Sequence, residues 1–290
     1  MALTSQRLPW HRLTSLHVGM GCATLWTLEE ERDFQELPHS LPHVPVPLGA
    51  GTNLLGSDQG GLHLVRLAPP PMPALPEGKD GFLPLPASLP LTRLALLCAQ
   101  RGLGGLAPLA GIPGTLGGAI RMNAGANGAD VGSLLEEWRG VDLKTGKPFR
   151  WKRGEGGFGY RTSPVPPTVL VLQATLRLPQ AEPAREREAI LQELRRRREK
   201  NPQGPSAGSI FRNPPGESAG RLLEAAGCKG LRRGPLVVSD RHANWILNPT
   251  ATPAKTEDAL WLIREMQRRV PGLRPEVCLP GGEGGTGAPQ

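Results

Sequence analysis

The chain has 290 residues and carries 34 Lys plus Arg against 26 Asp plus Glu, a formal net charge of +8. Its 38% apolar and 21% charged content excludes a disordered or fibrous chain, and its 38 glycines and 32 prolines follow no collagen period. Four cysteines without a CxxC pair support no zinc ribbon, iron–sulfur cluster or disulfide-stapled scaffold.

In chain order, the N-terminus lacks the apolar core of a secretory signal. Residues 13–28 mix β-branched and apolar residues around Gly19 and Gly21, and residues 28–37 predict a short amphipathic helix ended by Pro38. Residues 44–48 predict a strand running into the glycine turn 49–55, and the proline-crowded stretch 68–90 predicts a linker or sheet-edge segment. A helix is expected at 91–101. The uncharged stretch 102–120 is long enough to span a bilayer, but it holds seven Gly and two Pro and reads as loop-rich. Alternating β-type runs cover 138–151 and 168–178, and a charged helix 184–200 carries an Arg195–Arg198 run expected to be a solvated face. Helices at 220–226 and 255–270 and strands at 235–239 and 243–248 follow. The glycine-rich tail 281–290 is expected to be disordered. The mixture is α+β in several lobes, and a cytoplasmic location is expected.

Seven lysines against 27 arginines fit a GC-rich or heat-adapted source as readily as a function. The functional alternatives are nucleic acid or ligands carrying several phosphates. Gly102-Leu-Gly104-Gly-Leu-Ala107 matches a dinucleotide-binding pattern by letter, but a helix precedes it and Pro108 follows. Residues 140–147 lack the glycine spacing of a P-loop. The turn at Gly49-Ala50-Gly51-Thr52-Asn53 is better placed, directly after a strand, where successive amides can face an anion. An ordinary turn remains the plain alternative. The stretch 110–128 is the most informative. It has few core-building side chains, as expected where the main chain must wrap a bulky, polyanionic cofactor. Arg161 beside Tyr160, Ser209 and Asn213 around a glycine turn, His242 in HANW, and Glu276 after Arg274-Pro275 each also have an ordinary structural reading.

Seven segments appear together: GAGTNLL (49–55), GIPGTLGGAIRMNAGANG (111–128), YRTS (160–163), PSAGSIFRNP (205–214), AGCKG (226–230), SDRHANWILN (239–248) and RPEV (274–277). In this order, they resemble the UDP-N-acetylenolpyruvoylglucosamine reductase (UDP-N-acetylmuramate dehydrogenase) family of peptidoglycan precursor synthesis, over about residues 13–280. The resemblance implies an α+β fold with a two-lobed FAD-binding region of the vanillyl-alcohol-oxidase type at 1–67 and 68–180, and an α+β substrate-binding domain at 181–280. FAD would be lined by Gly49, Ala50, Gly51, Thr52, Asn53 and Leu54, and by Gly111, Ile112, Pro113, Gly114, Gly117, Gly118, Asn123, Ala124 and Gly125. NADPH would be the reductant. Arg161 would hold the charge that develops on the substrate carboxylate, and Ser209 would deliver the proton. Glu276 would be protonated, or would orient a water or Arg161. Asn213, Lys229 and His242 would contact the nucleotide sugar, Lys229 at its diphosphate, with residues 196–200 as a second basic contact.

Ala50 and Thr52 replace the usual third glycine and serine of the first motif, and Ala107 replaces a usual glutamate. Tyr160 is the one tyrosine of the chain, so the tyrosine-bearing substrate clamp of the longer family form is absent. The expected protein is a monomer whose partner is its UDP-sugar substrate, with no nucleic acid or membrane. The rival readings are a flavin enzyme oxidising an alcohol or sugar, a basic nucleic-acid-binding protein, which the 4% aromatic content disfavours, and a flavin-binding protein without catalysis.

Overall fold

The computed structural model describes residues 3–37, 41–70, 75–76 and 81–280. The tail 281–290, expected to be disordered, lies outside the described residues, as do Pro38 and residues 71–74 and 77–80 of the proline-crowded stretch. The chain forms two compact units, each assembled from separate stretches. Unit 1 comprises Met1–Ser5, Trp26–Gly49 and His63–Glu199; unit 2 comprises Gln6–Leu25, Ala50–Leu62 and Lys200–Gln290.

The main sheet of unit 1 contains β5 (Phe82–Pro86), β8 (Leu135–Asp142), β9 (Pro148–Lys152) and β10 (Val169–Arg177), in the order β5-β10-β8-β9. β10 reads Val-Leu-Val-Leu at its start because both of its faces are covered. Val169 and Val171 join one core cluster, Leu170 and Leu172 another. The register against β8 shifts between Val171 and Gln173. Beyond that irregularity the even-numbered Ala174 and Leu176 face the first cluster, the parity change that one extra residue produces. β5 lies at the sheet edge, where Pro84 and Pro86 cost no ladder bond on the open side, while Leu83 and Leu85 are buried. The expected strand 138–151 is a hairpin, broken where the Asp142 carboxylate accepts from Lys144 N and Thr145 Oγ1. The helices α1 (Leu91–Gln100), α2 (Leu116–Arg121), α3 (Val131–Leu134) and α4 (Pro183–Lys200) contribute to the first core cluster.

Two expectations for this unit change. The helix predicted at 28–37 is a 3-10 helix, Glu31–Glu36, whose entry is tightened by the Asp33 carboxylate accepting from Glu29 N and Glu30 N. The loop-rich stretch 102–120 runs into a true helix, α2. Thr115 caps it, its Oγ1 accepting from Gly118 N at 3.3 Å. Leu116, Ala119 and Ile120 are buried beneath it, and Gly117 allows contact so close that a Cβ would lie 3.0 Å from that of Ala87.

A smaller sheet links β1 (Thr4–Pro9), β2 (Cys22–Leu28), β4 (His63–Leu67) and β3 (Val46–Pro47), in that order, with β3 parallel to β4, and β6 (Gly125–Ala126) pairs antiparallel with β7 (Ala129–Asp130). In unit 2, β11 (Ser206–Ser209), β14 (Trp245–Leu247), β13 (Leu236–Val238) and β12 (Arg232–Arg233) form a sheet in that order. It shares a core with α5 (Ala219–Ala225) and α6 (Thr256–Arg269). α6 buries Ala259, Leu262, Ile263 and Met266, the spacing of one helical face. Among the described residues no helix is long and apolar enough to cross a membrane.

The first turn of α6 is capped from a distant segment. Lys255, at its N-cap, makes no side-chain cap. Instead the Asp58 carboxylate accepts from Thr256 N at 3.0 Å, Glu257 N at 3.3 Å and Met20 N at 3.0 Å. Burial works against the charged carboxylate, but these N–H groups outweigh it and hold Asp58 below its ordinary value of 3.8. The stabilisation is therefore present above that ordinary value and lost as pH falls through the folded pKa. Asp58→Ala is expected to cost about 1 kcal/mol at neutral pH, the worth of a solvent-screened cap. In urea titrations the gap from wild type should close below about pH 4; a gap that persists in acid contradicts this role.

Candidate active site

The turn 49–54 follows β3 and is fixed from both ends. In unit 1, a Cβ on Gly49 would approach Thr115 Oγ1 to 3.0 Å, so the first glycine packs on the cap of α2. In unit 2, Gly51 has φ +67°, and a Cβ there would fall 1.9 Å from Leu13 O. Its own carbonyl accepts from Ser15 N at 3.1 Å, and Ser15 Oγ donates to Ser206 O at 2.6 Å.

The same turn is tied to the C-terminal motif. Asn53 Nδ2 donates to Glu276 O at 3.0 Å, Cys278 N donates to Asn53 O at 2.9 Å, and Leu54 forms a parallel bridge with Cys278. Glu276 N in turn donates to Ile210 O at 2.7 Å, and Arg212 N to Arg274 O at 2.9 Å. Asn244 of the HANW motif locks this junction: its Oδ1 accepts from Phe211 N at 2.9 Å while its Nδ2 donates to Phe211 O at 2.8 Å. A buried side-chain amide thus replaces a missing strand partner. Ser209 and Glu276 are brought to one backbone junction. Gly208, before Ser209, has φ +76°, and a Cβ there would meet nothing within 4 Å.

The glycine wall 111–125 belongs to unit 1. Gly111 to Gly114 link the 3-10 turn Ala107–Leu109 to α2. The amides of Leu116 and Gly117 donate to Leu89 O and Ala87 O, and that of Gly118 to its cap. Gly117 and Gly118 therefore contribute close approach rather than amide donors. On Gly118 a Cβ would meet only Thr115 Oγ1, at 3.5 Å, so side chains leave the main chain uncovered at this one residue more than at Gly111, Gly117 or Gly125. Ile112 and Ala124 pack against the first core cluster.

Arg161 lies in the tight reversal between Gly159 and Thr162, which exchange N–H···O bonds of 3.0 Å in both directions. Its φ is +53°, a costly conformation for a bulky residue and one that tends to accompany function. The guanidinium donates to Gly125 O at 2.9 Å and lies 5.2 Å from the Tyr160 ring centroid. Arg161 belongs to unit 1, and Ser209 and Glu276 belong to unit 2.

Lys229 and His242 come together in unit 2. Lys229 Nζ pairs with the Glu224 carboxylate. His242 Nδ1 accepts from Asn244 N at 3.2 Å, and its ring packs so closely on Gly220 that a Cβ there would lie 2.6 Å from Cε1. Burial pushes His242 below its ordinary pKa, which favours a neutral ring. Asn213 Oδ1 accepts from Ala219 N at the start of α5.

The arginine run on α4 is only partly a solvated face, as Arg196 and Arg197 show. Arg196 makes a bidentate pair with the buried Glu193 carboxylate, both contacts 2.7 Å. Arg197 lies over Gly111, where a Cβ would be 2.1 Å from its Cδ, and burial depresses its pKa. Sequence reasoning held Arg197 only within the basic contact 196–200, not as the residue over Gly111, and missed Thr115 and Ser15. A Thr before a short apolar run was a legible cap signal for Thr115, and the three-residue spacing from Glu193 marked Arg196 as the paired arginine. Nothing local marked Ser15.

Residues 199–273 match the family model described as UDP-N-acetylenolpyruvoylglucosamine reductase, C-terminal domain. The chain is 38% identical to the UDP-N-acetylenolpyruvoylglucosamine reductase of Syntrophotalea carbinolica, covering 94% of this chain and 93% of that one. It is also 38% identical to that of Thermus thermophilus, covering 89% and 92%. Its structure is similar to the crystal structure of the Thermus caldophilus UDP-N-acetylenolpyruvylglucosamine reductase, with a TM-score of 0.82, 34% identity, and coverage of 96% and 99%. With that identity sustained over nearly its whole length, the chain belongs to the UDP-N-acetylenolpyruvoylglucosamine reductase family of FAD-dependent oxidoreductases.

Proposed function

We propose that this protein reduces the enolpyruvyl ether of UDP-N-acetylglucosamine to UDP-N-acetylmuramate, using FAD and NADPH. The observation that carries the reading is the junction in unit 2. The GAGTN turn, the strand bearing Ser209 and the segment bearing Glu276 are sewn into one cluster by the bonds of Asn53 to Glu276 and Cys278, of Glu276 to Ile210, and of Ser15 to Gly51 and Ser206. That arrangement is suited to presenting coenzyme-binding main chain beside a proton-delivering hydroxyl.

The residues fit FAD. The turn 49–54 and the wall Gly111 to Gly125 offer main chain, and at Gly118 a Cβ would meet only Thr115 Oγ1, at 3.5 Å. Arg197 places a cation over Gly111, as an adjacent pyrophosphate requires. Segments 1–67 and 68–180 are assigned to coenzyme binding in the manner of the vanillyl-alcohol-oxidase type, and 181–280 to the substrate. Residues 6–25 and 50–62 share a compact unit with the latter, so the two functions interleave along the chain. When bound, FAD supplies the hydride, drawn from NADPH, to the terminal methylene carbon of the substrate.

The remaining steps fall to this chain's own residues. Hydride addition pushes an electron pair toward the adjacent carboxylate and creates an enediolate-like dianion, expensive in a dry site. Arg161 is assigned to hold that charge with donors already in place. Ser209 gives its hydroxyl proton to the carbon bearing the ether oxygen, which completes the net addition of two hydrogens. Glu276 completes the site as a neutral acid, or by orienting a water or Arg161. Lys229 is assigned to the diphosphate, where it would exchange its Glu224 partner for the ligand, with Asn213 and neutral His242 as hydrogen-bonding partners of the nucleotide sugar. The +8 charge suits a protein whose ligands are all polyanions, and each chain is expected to act as a cytoplasmic monomer.

The test is isotopic. Product formed in D2O should carry deuterium on the carbon bearing the ether oxygen, whatever the methyl carbon takes up through solvent exchange at the reduced flavin. No deuterium on the ether-bearing carbon contradicts the protonation step proposed.

A further inference from the structure

We infer that Asn123 is a positioning residue for Arg161, holding the reversal that carries it in place; the inference rests on the role proposed for Arg161. Asn123 is only 2% exposed, and its φ of +39° is one that few residues other than Asn, Asp and Gly adopt readily. Its amide is committed at both ends. Nδ2 donates to Gly159 O at 2.8 Å, and Oδ1 accepts from Gly132 N at 2.9 Å. Gly159 is the residue that closes the Tyr160-Arg161 reversal against Thr162. One buried side chain therefore joins the end of the glycine wall, the start of α3 and the base of the arginine hairpin.

The surroundings leave the amide little room to move. A Cβ on Gly132 would lie 2.9 Å from Asn123 Oδ1 and 2.8 Å from the Phe158 ring. Phe158 is itself held edge-on against Trp151, with centroids 4.9 Å apart. The hairpin has two further ties on the same side. Ser163 Oγ donates to Arg121 O at 2.7 Å, and Arg161 donates to Gly125 O, two residues beyond Asn123. A left-handed Arg needs such over-determination, because an unrestrained reversal would relax to a less strained backbone and re-aim the guanidinium. What Asn123 contributes is geometry: it reaches the substrate only through Arg161.

The test uses the holoenzyme and separates the half-reactions. Asn123→Asp keeps the acceptor for Gly132 N and the left-handed backbone while losing the donor to Gly159 O. Asn123→Gly keeps the backbone freedom, adds no charge, and serves where the Asp variant does not accumulate folded. Either should slow anaerobic flavin reoxidation by substrate about tenfold or more, the scale of a lost buried hydrogen bond. FAD affinity and flavin reduction by NADPH, which the wall 111–125 also serves, should fall by clearly less than reoxidation does. In an Arg161→Ala background the same change should add less than about twofold, because coupled residues are non-additive. A full multiplicative loss in that background, or equal damage to both half-reactions and to FAD affinity, overturns the inference. If Arg161→Ala alone leaves reoxidation unchanged, the reading of Arg161 fails first, and this inference falls with it.

Discussion

Ser209→Ala is expected to leave bleaching of the bound flavin by NADPH within about twofold of wild type and to slow its reoxidation by substrate about 1000-fold or more, the upper range for losing a positioned proton donor. The asymmetry follows from what the hydroxyl does. Hydride delivery to the methylene carbon generates a carbanion that is basic enough to take a proton even from an alcohol. Without the donor, that charge has nowhere to go and addition reverses. Ser209 lies on β11, whose backbone is fixed by Ser15 at Ser206 O and by Asn244 at Phe211, so removing Oγ should not disturb the strand. Stopped-flow absorbance of the two half-reactions checks the expectation. Equal slowing of both would mean that Ser209 acts on coenzyme binding and not on protonation.

Gly51→Ala carries the largest expected cost in stability, about 4 kcal/mol or more, from steric overlap and backbone strain together. The new Cβ would stand 1.9 Å from Leu13 O. Relief would require moving either the stretch 13–15, which Ser15 ties to Ser206, or the turn itself, which Asn53 ties to Glu276. The coenzyme turn and the Ser209–Glu276 junction should therefore fail together. Gly61→Ala separates steric overlap from backbone strain: its φ is +96°, but a Cβ there meets nothing within 4 Å, and about 1 kcal/mol is expected. Urea midpoints and FAD occupancy of the two variants provide the comparison. Similar losses in both would remove the argument for a sterically enforced turn.

The elements legible in the sequence are those whose pattern is local. α6 shows its buried face at i, i+3, i+4 and i+7, and the proline-rich β5 announces a sheet edge. β10 is legible as a strand, but its parity change is not, because the irregularity near Gln173 is set by pairing with β8. α2 was hidden in a glycine stretch whose composition argues against helix. Its stability comes from the Thr115 cap and from burial of Leu116, Ala119 and Ile120, and burial is a tertiary fact.

The candidate site divides in the same way. The motif residues are visible as glycine turns and isolated polar groups, but the bonds that assemble them join residues up to 225 positions apart, as between Asn53 and Cys278. Asp58 capping α6 and Arg197 covering Gly111 are likewise invisible to any local pattern. Asn123 was legible as a member of the wall, whereas its use of both amide ends to hold the arginine hairpin was not.

The central claim is that this chain holds a flavin which NADPH reduces and the enolpyruvyl ether reoxidises. The most direct measurement is the anaerobic visible spectrum of the purified protein. It should show bound oxidised FAD, bleach with one equivalent of NADPH, and recover fully on one equivalent of enolpyruvyl-UDP-N-acetylglucosamine. A colourless protein that takes up no FAD, or a bleached flavin that the enolpyruvyl sugar fails to reoxidise, would contradict it.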